Sequence, residues 1–404
     1  MSMGRPRPRV LLVVLLLVAC TVGWRRGQYF TGSLDPVVLA KAALSVLALV
    51  LAARAPGARR RLGTGSLWAL AMVLALSVLG ALTHGTFLAG GLVAARVAVL
   101  GLAVFCLLRA VPVEDVLVSL AWSCGLIGAA AVVSGLPSAA SGRLAGEVPP
   151  LAPNELALLA GVVVLVAAWR CLLGAPRPTA LAAAAVGLAV IWATGSRTGL
   201  LVLVLALGVV ALHARRVGVG LVVSGLLMAA LGSVAVLATG ALGEWLERDG
   251  DGVSTLESRF IAWRAATTWA GSLWQTLFGG GLSVKIIEVR GQWWTTQPLD
   301  SSWVSLLVQC GVVGVLVALG WVLWAVRGAL LAPRRHRALV LGMLAFLVPR
   351  SVLESGLFDA TPAFLCFLVV SLAVEGGSRR RLLEEEGAAP AAPSDRARPV
   401  AAPA

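Results

Sequence analysis

Long apolar segments, separated by short polar connections, follow one another along most of this 404-residue sequence. Many of the segments hold about twenty continuous apolar residues, the helix length that crosses about 30 Å of hydrocarbon. A membrane-spanning β-strand would instead show about ten residues of alternating polarity. The pattern therefore predicts an all-α fold: a polytopic integral membrane protein with one large extracytoplasmic loop.

The apolar segments predict about twelve transmembrane helices. They lie near residues 10–24, 37–55, 65–83, 87–108, 115–136, 151–173, 179–194, 198–213, 217–242, 301–326, 337–356 and 361–377. The first segment follows Arg5, Arg7 and Arg9 and has no convincing cleavage site, so we interpret it as a signal anchor.

Four regions follow from this pattern. Helices 1–9 occupy residues 1–242, a hydrophilic loop with short helices occupies 243–300, helices 10–12 occupy 301–381, and a tail occupies 382–404. The loop is too long for a simple connection, so it is expected to carry structure or function. The tail is rich in Glu, Ala and Pro and is predicted to be a disordered cytoplasmic segment.

Composition and charge narrow the class of protein further. Hydrophobic residues make up 59% of the chain and charged residues 13%, which excludes a soluble enzyme. The formal net charge of +14 comes from arginines clustered between apolar segments. Such clusters orient membrane helices, whereas a nucleic-acid-binding protein carries its basic patch on a soluble fold. We expect no nucleic-acid partner, both termini in the cytoplasm and the 243–300 loop outside.

Arg197 is one of the few arginines on the predicted outer side. Gly195 suits the end of one helix, and Ser196 is a good N-cap for the next, which places Arg197 in a first helical turn. A cation is disfavoured there, whereas an anion is favoured by the free N–H groups. Ser196 and Arg197 are therefore candidates for binding a phosphate, with contact to lipid phosphates as the alternative.

The outer loop adds a predicted helix that contains Arg259, Trp263 and Arg264. Arg259 and Trp263 share a face, while Arg264 lies roughly 140° around the helix from Arg259. A guanidinium beside an indole suits a phosphorylated sugar, because the guanidinium binds phosphate and the ring covers the C–H face of the sugar. The alternative is an interfacial amphipathic helix.

Further candidates flank the membrane helices that follow the loop. Trp293 and Trp294 are candidate sugar platforms. Asp300, at the start of a helix, is either an N-cap or a base that takes a proton from an acceptor hydroxyl. Arg350 and Glu354, four residues apart, either neutralise each other or belong to a site. No metal or cofactor site is predicted, because the histidines are isolated and no phosphate-binding loop is present.

Four motifs in this order resemble the bacterial O-antigen ligase and O-antigen polymerase superfamily of membrane glycosyltransferases, over about residues 140 to 360. They are Arg143-Leu144-Ala145-Gly146 with Pro153-Asn154-Glu155-Leu156-Ala157, then Ser196-Arg197-Thr198-Gly199, then Arg259-x-x-x-Trp263 with Gly279-Gly280-Gly281, and Asp300-Ser301 through Gly311-Val312-Val313-Gly314.

The resemblance implies transfer of a glycan from a polyprenyl-pyrophosphate carrier to a hydroxyl of a glycan or glycolipid acceptor. The reaction would use no metal or cofactor and take place on the outer face of the bacterial cytoplasmic membrane. Arg197 and Arg259 match the family arginines associated with the pyrophosphate, and Arg143 and Asn154 fall in a further family motif. Family ligases often carry His where this chain has Asp300 and Asn where it has Ser301. This difference favours a polymerase-like or unassigned branch and leaves the identity of the base open.

A transporter or flippase of lipid-linked or anionic solutes is the alternative function. Such proteins commonly combine broken helices near the membrane midplane with an inverted repeat. The sequence indicates neither feature.

Overall fold

A computed structural model describes residues 7–25, 30, 35–57, 61–140, 142–173, 178–213, 252–289 and 295–387. The described helices are α1 (Pro8–Thr21), α2 (Pro36–Ala53), α3 (Gly65–Thr83), α4 (Phe87–Ala110), α5 (Val113–Ala140), α6 (Pro153–Leu173), α7 (Pro178–Ala193), α8 (Arg197–His213), α9 (Gly252–Thr267), α10 (Leu273–Phe278), α11 (Ser302–Leu330), α12 (Arg334–Leu353), α13 (Pro362–Ala373) and α14 (Gly376–Gly387). Strands β1 (Ile286–Glu288) and β2 (Thr296–Pro298) pair antiparallel, with Ile287 opposite Gln297.

Seven of the described helices are long and apolar enough to cross a membrane: α2, α3, α4, α5, α6, α11 and α12. The predicted all-α membrane architecture is confirmed at this level. Helices α1, α7, α8 and α13 are apolar but shorter, with at most 17 residues each. The predicted span at 217–242 lies outside the described residues, so the number of twelve spans stays a prediction.

The C-terminal end differs from the sequence-based expectation. The last predicted span, 361–377, is divided between α13, which ends at Ala373, and a second helix, α14. Helix α14 continues to Gly387, so residues 382–387 are helical where the sequence predicted the start of a disordered tail. In the run Arg379-Arg380-Arg381-Leu382-Leu383-Glu384-Glu385-Glu386, acidic residues lie three or four positions from arginines, a spacing that favours helix. Residues 388–404 lie outside the described part.

The helices of the bundle enclose one large apolar core. Its most buried members include Trp169 on α6, Trp321 on α11 and a run of α13 from Phe364 to Leu368. A second, small core lies where the predicted outer loop meets the bundle. Ala262 and Ala266 of α9 pack there with Ile287 of β1 and Val308 of α11. The described part of the loop is therefore a folded unit attached to the start of α11.

Helix α11 is interrupted at Gly311, where φ is +66°. The carbonyls of Val308 and Gln309, near the break, accept hydrogen bonds from the backbone N–H groups of Gly280 and Gly281 at 2.8 and 2.9 Å. The loop thus supplies donors beside the interruption, as backbone at membrane depth requires. The sequence did not predict this interruption, because Gly-Val-Val-Gly is apolar enough to be interpreted as continuous helix.

The two ends of the bundle carry different sets of charged residues. At one end, Arg335 in the first turn of α12 pairs with Glu114 at the start of α5 at 3.1 Å. The same end carries Arg7, directly before α1, and Arg54, directly after α2, and we call it the basic end. At the opposite end of α12, Glu354 accepts a backbone hydrogen bond from Ser302, the first residue of α11.

Two cations inside the apolar segments are anchored to backbone. Lys41 on α2 donates to the carbonyl of Val22 at 2.8 Å, and Arg96 on α4 donates to the carbonyl of Cys20. Both carbonyls belong to the C-terminal end of α1, where the helix dipole favours positive charge. These contacts give Lys41 and Arg96 a structural role in joining α1, α2 and α4.

Candidate functional site

Arg259 projects from α9 toward the bundle. It shares a helix face with Ala262 and Ala266, which are buried in the small core, because residues at i, i+3 and i+7 align on a helix. Its guanidinium reaches two carboxylates, with Nε 3.9 Å from Oδ2 of Asp300 and Nη2 3.3 Å from Oε1 of Glu354. The side chain is 19% exposed, so this arginine is held in a fixed position between two anions.

Asp300 does not cap helix α11. The capping residue is Ser301, whose hydroxyl accepts from the backbone N–H of Val304 at 3.5 Å. Asp300 follows strand β2 and faces Arg259 instead, with 41% of its side chain exposed. Of the two roles considered for this carboxylate, the N-cap is therefore wrong, and its reach toward solvent is compatible with chemistry on a substrate.

Glu354 joins the loop to the membrane helices. It lies directly after α12, and its carbonyl accepts from the backbone N–H and the hydroxyl of Ser302 at 3.2 and 2.7 Å. Its carboxylate Oε1 also accepts from the side-chain amide of Asn154 at 2.6 Å, in addition to its pairing with Arg259. One residue thus fixes the start of α6, the start of α11 and helix α9.

Asn154 connects the remaining arginines. It stands in the first turn of α6, which begins at Pro153, and Glu155 there accepts from the backbone N–H of Ala152 at 3.1 Å. The carbonyl of Asn154 accepts from Arg350 at 2.8 Å, and its side-chain oxygen lies 3.5 Å from Nη2 of Arg143.

Arg350 and Glu354 do not neutralise each other as a direct pair. Arg350 is only 4% exposed and donates to the Asn154 carbonyl, while the Glu354 carboxylate turns to Arg259 and Asn154. The two side chains thus make no direct ion pair, although the positive charge of Arg350 still acts on the Glu354 carboxylate and opposes the rise in its pKa that burial causes.

Arg197 begins α8 as predicted. Gly195, with φ of +62°, ends the preceding turn, and the Ser196 hydroxyl accepts from the N–H of Gly199 at 3.2 Å. Arg197 is exposed at this helix start. The carbonyl of Thr194, in the same turn, accepts from Nε of Arg143 at 3.0 Å, which ties the turn to the Arg143 segment.

Six sequence-predicted residues therefore form one connected set of contacts, which we call the charged cluster: Arg143, Asn154, Arg259, Asp300, Arg350 and Glu354. It lies at the end of the bundle opposite the basic end. Ser302 and Thr194 extend the cluster and were missed by the sequence analysis. Nothing in the sequence marks Ser302 as a donor to the backbone carbonyl of Glu354, or the carbonyl of Thr194 as an acceptor for Arg143.

Other predicted site residues lie apart from the charged cluster or outside the described residues. Trp263 is half-buried and meets Phe260 edge to face at 5.5 Å, and its indole N–H has no hydrogen-bond partner in the described part of the chain. Arg264 is exposed, on a different face of α9 from Arg259. Trp293 and Trp294 lie outside the described residues.

Burial changes the acidity of both carboxylates in the charged cluster. Burial raises the pKa of Asp300 above its ordinary value, and the neighbouring Arg259 only partly opposes this. Burial likewise raises the pKa of Glu354, against the opposing effect of Arg350 and Arg259. A carboxylate with a raised pKa is a stronger base than an ordinary one, which suits proton transfer at neutral pH.

Neither the family models nor the curated proteins compared with this sequence give a match. The charged cluster therefore has to be interpreted from its own chemistry. It combines three arginines with two carboxylates at one end of a helical bundle, beside a helix N-terminus that begins with a further exposed arginine. Such a combination can bind an anionic group and hold a carboxylate beside it.

Proposed function

We propose that this protein transfers a glycan from a polyprenyl-pyrophosphate carrier to an acceptor hydroxyl, in polysaccharide polymerisation or ligation. The single observation that carries the proposal is the charged cluster. Arginines and carboxylates from four distant segments, around residues 143, 259, 300 and 354, meet at one end of a bundle whose helices suit a membrane. A lipid-linked anionic substrate would present its phosphates at such an end.

The arginines supply the electrostatic part of the proposed reaction. The diphosphate leaves as an anion, so cations aimed at it stabilise the charge that develops in the transition state. Arg143 and Arg197 are exposed and would meet the diphosphate first. Arg259 is already paired with Asp300 and Glu354, and these carboxylates would hold it in place for the phosphate.

Asp300 is the proposed base. It is the more exposed of the two carboxylates, and its raised pKa favours proton abstraction from an acceptor hydroxyl. Glu354 is proposed as a positioning residue, since its carboxylate is occupied by Asn154 and Arg259. Asp300 removes the proton of the acceptor hydroxyl while the oxygen of that hydroxyl displaces the diphosphate from the sugar.

The location of the reaction belongs to the same proposal. The basic end would face the cytoplasm by the preference of arginine-rich connections for that side. The charged cluster, at the opposite end, would then face outside, in the cytoplasmic membrane of a bacterium. The twelve spans and the outer position of the 243–300 loop are part of this proposed topology.

The decisive experiment supplies purified protein with a polyprenyl-pyrophosphate oligosaccharide and an acceptor. Longer or transferred glycan and free polyprenyl pyrophosphate are expected, and Arg197→Ala should abolish turnover while the protein still folds. Turnover that survives both Arg197→Ala and Arg259→Ala would overturn the proposal. In a deletion strain, loss of long chains would indicate a polymerase, and unattached long chains a ligase.

Transport of lipid-linked or anionic solutes remains the second candidate, because α11 is broken at Gly311. Discontinuous helices form substrate sites in many transporters. In this chain, however, the interruption is occupied by the Gly279–Gly281 turn, whose N–H groups are bonded to the carbonyls beside it. Movement of a labelled lipid-linked glycan across proteoliposomes without any change in its glycan would favour transport over transfer.

A further inference from the structure

A cavity of about 490 Å³ lies at the basic end, where α1 begins and where α2 and α4 end. Its volume falls in the range of roughly 300–1,000 Å³ that is typical of small-molecule sites. The cavity is remote from the charged cluster. Asp115, at the start of α5, pairs with Arg7 of the cavity, whereas Arg143 of the charged cluster follows the end of α5. Its occupant therefore need not be the substrate proposed above.

The lining of the cavity is amphipathic. Its wall is aliphatic, and its edge carries arginines from the start of α1 and the end of α2. The wall includes Val10, Leu12, Val13, Leu51, Leu107 and Val111, and the arginines are Arg7, Arg9 and Arg54.

Two of the three arginines leave the cavity with positive charge that no carboxylate among the described residues neutralises. Arg7 pairs with Asp115 at 3.2 Å. Arg9 and Arg54 line the same cavity, are exposed, and form no ion pair with a carboxylate among the described residues. Two cations beside an apolar wall complement a ligand that has an anionic head and a hydrocarbon tail.

We propose that this cavity binds an anionic phospholipid, with its phosphate at Arg9 and Arg54 and an acyl chain against the aliphatic wall. The ends of apolar helices mark the height at which lipid headgroups lie, so a headgroup and a chain can reach the cavity together. A soluble anion has no hydrocarbon chain to pack against the aliphatic wall. A zwitterionic lipid carries less net negative charge for the arginines to bind.

Titration of the full-length protein in detergent with phosphatidylglycerol tests the proposal. Native mass spectrometry counts bound lipid, and the melting temperature reports stabilisation by binding to the folded state. Phosphatidylglycerol should bind saturably and raise the melting temperature. Phosphatidylcholine should bind more weakly, and inorganic phosphate should neither bind measurably nor compete.

Three variants separate the headgroup contact from the chain contact. The double variant Arg9→Gln/Arg54→Gln should bind phosphatidylglycerol about fivefold more weakly for each arginine removed, the ratio that corresponds to about 1 kcal/mol. Leu12→Trp, at a half-exposed position of the wall, should weaken lipid binding without any change in net charge. Arg334→Gln, an exposed arginine at the same end but outside the cavity, is the matched control and should bind as the parent does.

Three outcomes would overturn the proposal. Equal affinity for phosphatidylglycerol and phosphatidylcholine would remove the role of the arginines. If Arg334→Gln lost as much affinity for phosphatidylglycerol per removed charge as the double variant, the effect would be a general one of net charge. Competition by inorganic phosphate with unchanged binding in Leu12→Trp would indicate a simple anion site.

Discussion

Arg259 bonds to carboxylates on either side, and this pairing distinguishes it from the other arginine of its helix. Arg264, five residues later, is exposed and away from Asp300 and Glu354. Removal of Arg259 would leave two partly buried carboxylates without their shared cation, which costs more than removal of an exposed arginine. The two residues therefore form a natural matched pair for mutation.

We expect Arg259→Ala to lower kcat/KM for glycan transfer by about a hundredfold, the usual effect of removing one donor to a transition-state anion. Arg264→Ala should change it by less than about twofold, because an exposed cation outside the cluster contributes little. The measurement is turnover of a polyprenyl-pyrophosphate oligosaccharide by proteins of equal melting temperature. Equal losses in the two variants would contradict the assignment of the charged cluster as the site.

The raised pKa of Asp300 predicts a pH dependence. A base acts only when deprotonated, so activity should fall on acidification through a pKa above the ordinary value of about 3.9. Asp300→Asn should abolish turnover at every pH, and Glu354→Gln should keep the acid limb. An acid limb that disappears in Glu354→Gln, with activity retained in Asp300→Asn, would transfer the role of base to Glu354.

At the scale of elements, the break in α11 depends on Gly311. Its φ is positive, and a Cβ there would lie 2.2 Å from the backbone of Leu277 in α10. Gly320, in the same helix, has nothing within 4 Å of its Cβ position. The same substitution at these two glycines should therefore have opposite effects.

Gly311→Ala should lower stability by several kcal/mol, because the positive φ alone costs about 1–3 kcal/mol and the contact with Leu277 forces α10 away. Gly320→Ala should be neutral or stabilise by up to about 1 kcal/mol, the difference in helix propensity. Melting temperatures in detergent measure both. A similar decrease in melting temperature in the two variants would mean that the close approach of α10 to Gly311 does not determine the break in α11.

The sequence predicted elements better than it predicted their contacts. Long apolar runs located α2 to α6 and the start of α11, since one-dimensional periodicity carries that information. Strands β1 and β2 were missed, because three residues each are too short for a period to register. The contact of Glu354 with Asn154 joins residues 200 positions apart, and no local pattern encodes such a distance.

For the whole molecule, the two ends of the bundle should lie on opposite sides of the membrane. Thr268, exposed after α9, belongs to the end with the charged cluster, and Arg334, exposed at the start of α12, belongs to the basic end. In intact cells, an impermeant maleimide should label Thr268→Cys and should label Arg334→Cys only after lysis. Labelling in the reverse order would place the charged cluster in the cytoplasm and remove the basis for glycan transfer outside it.

Arginine clusters allowed this orientation to be predicted, because their preference for one side acts over the whole chain. The cavity lined by Arg9 and Arg54 was not predicted, since it arises where α2 packs against both α1 and α4. The members of the charged cluster were each singled out from the sequence, four of them in motifs and Arg350 and Glu354 as ionisable residues in an apolar segment. The connections through Ser302 and the backbone of Asn154 depend on the fold and were not predicted.

The dependence of the charged cluster on Glu354 has a consequence for synthesis. Arg143, Asn154, Arg259 and Asp300 all leave the ribosome before Glu354, the residue that bonds Asn154, Arg259 and Ser302. A nascent chain that has inserted α6 and α11 and has formed α9 still lacks the acceptor that draws the ends of these helices together. The charged cluster is therefore completed only when translation has passed α12, and a prematurely terminated chain would reach the membrane without it.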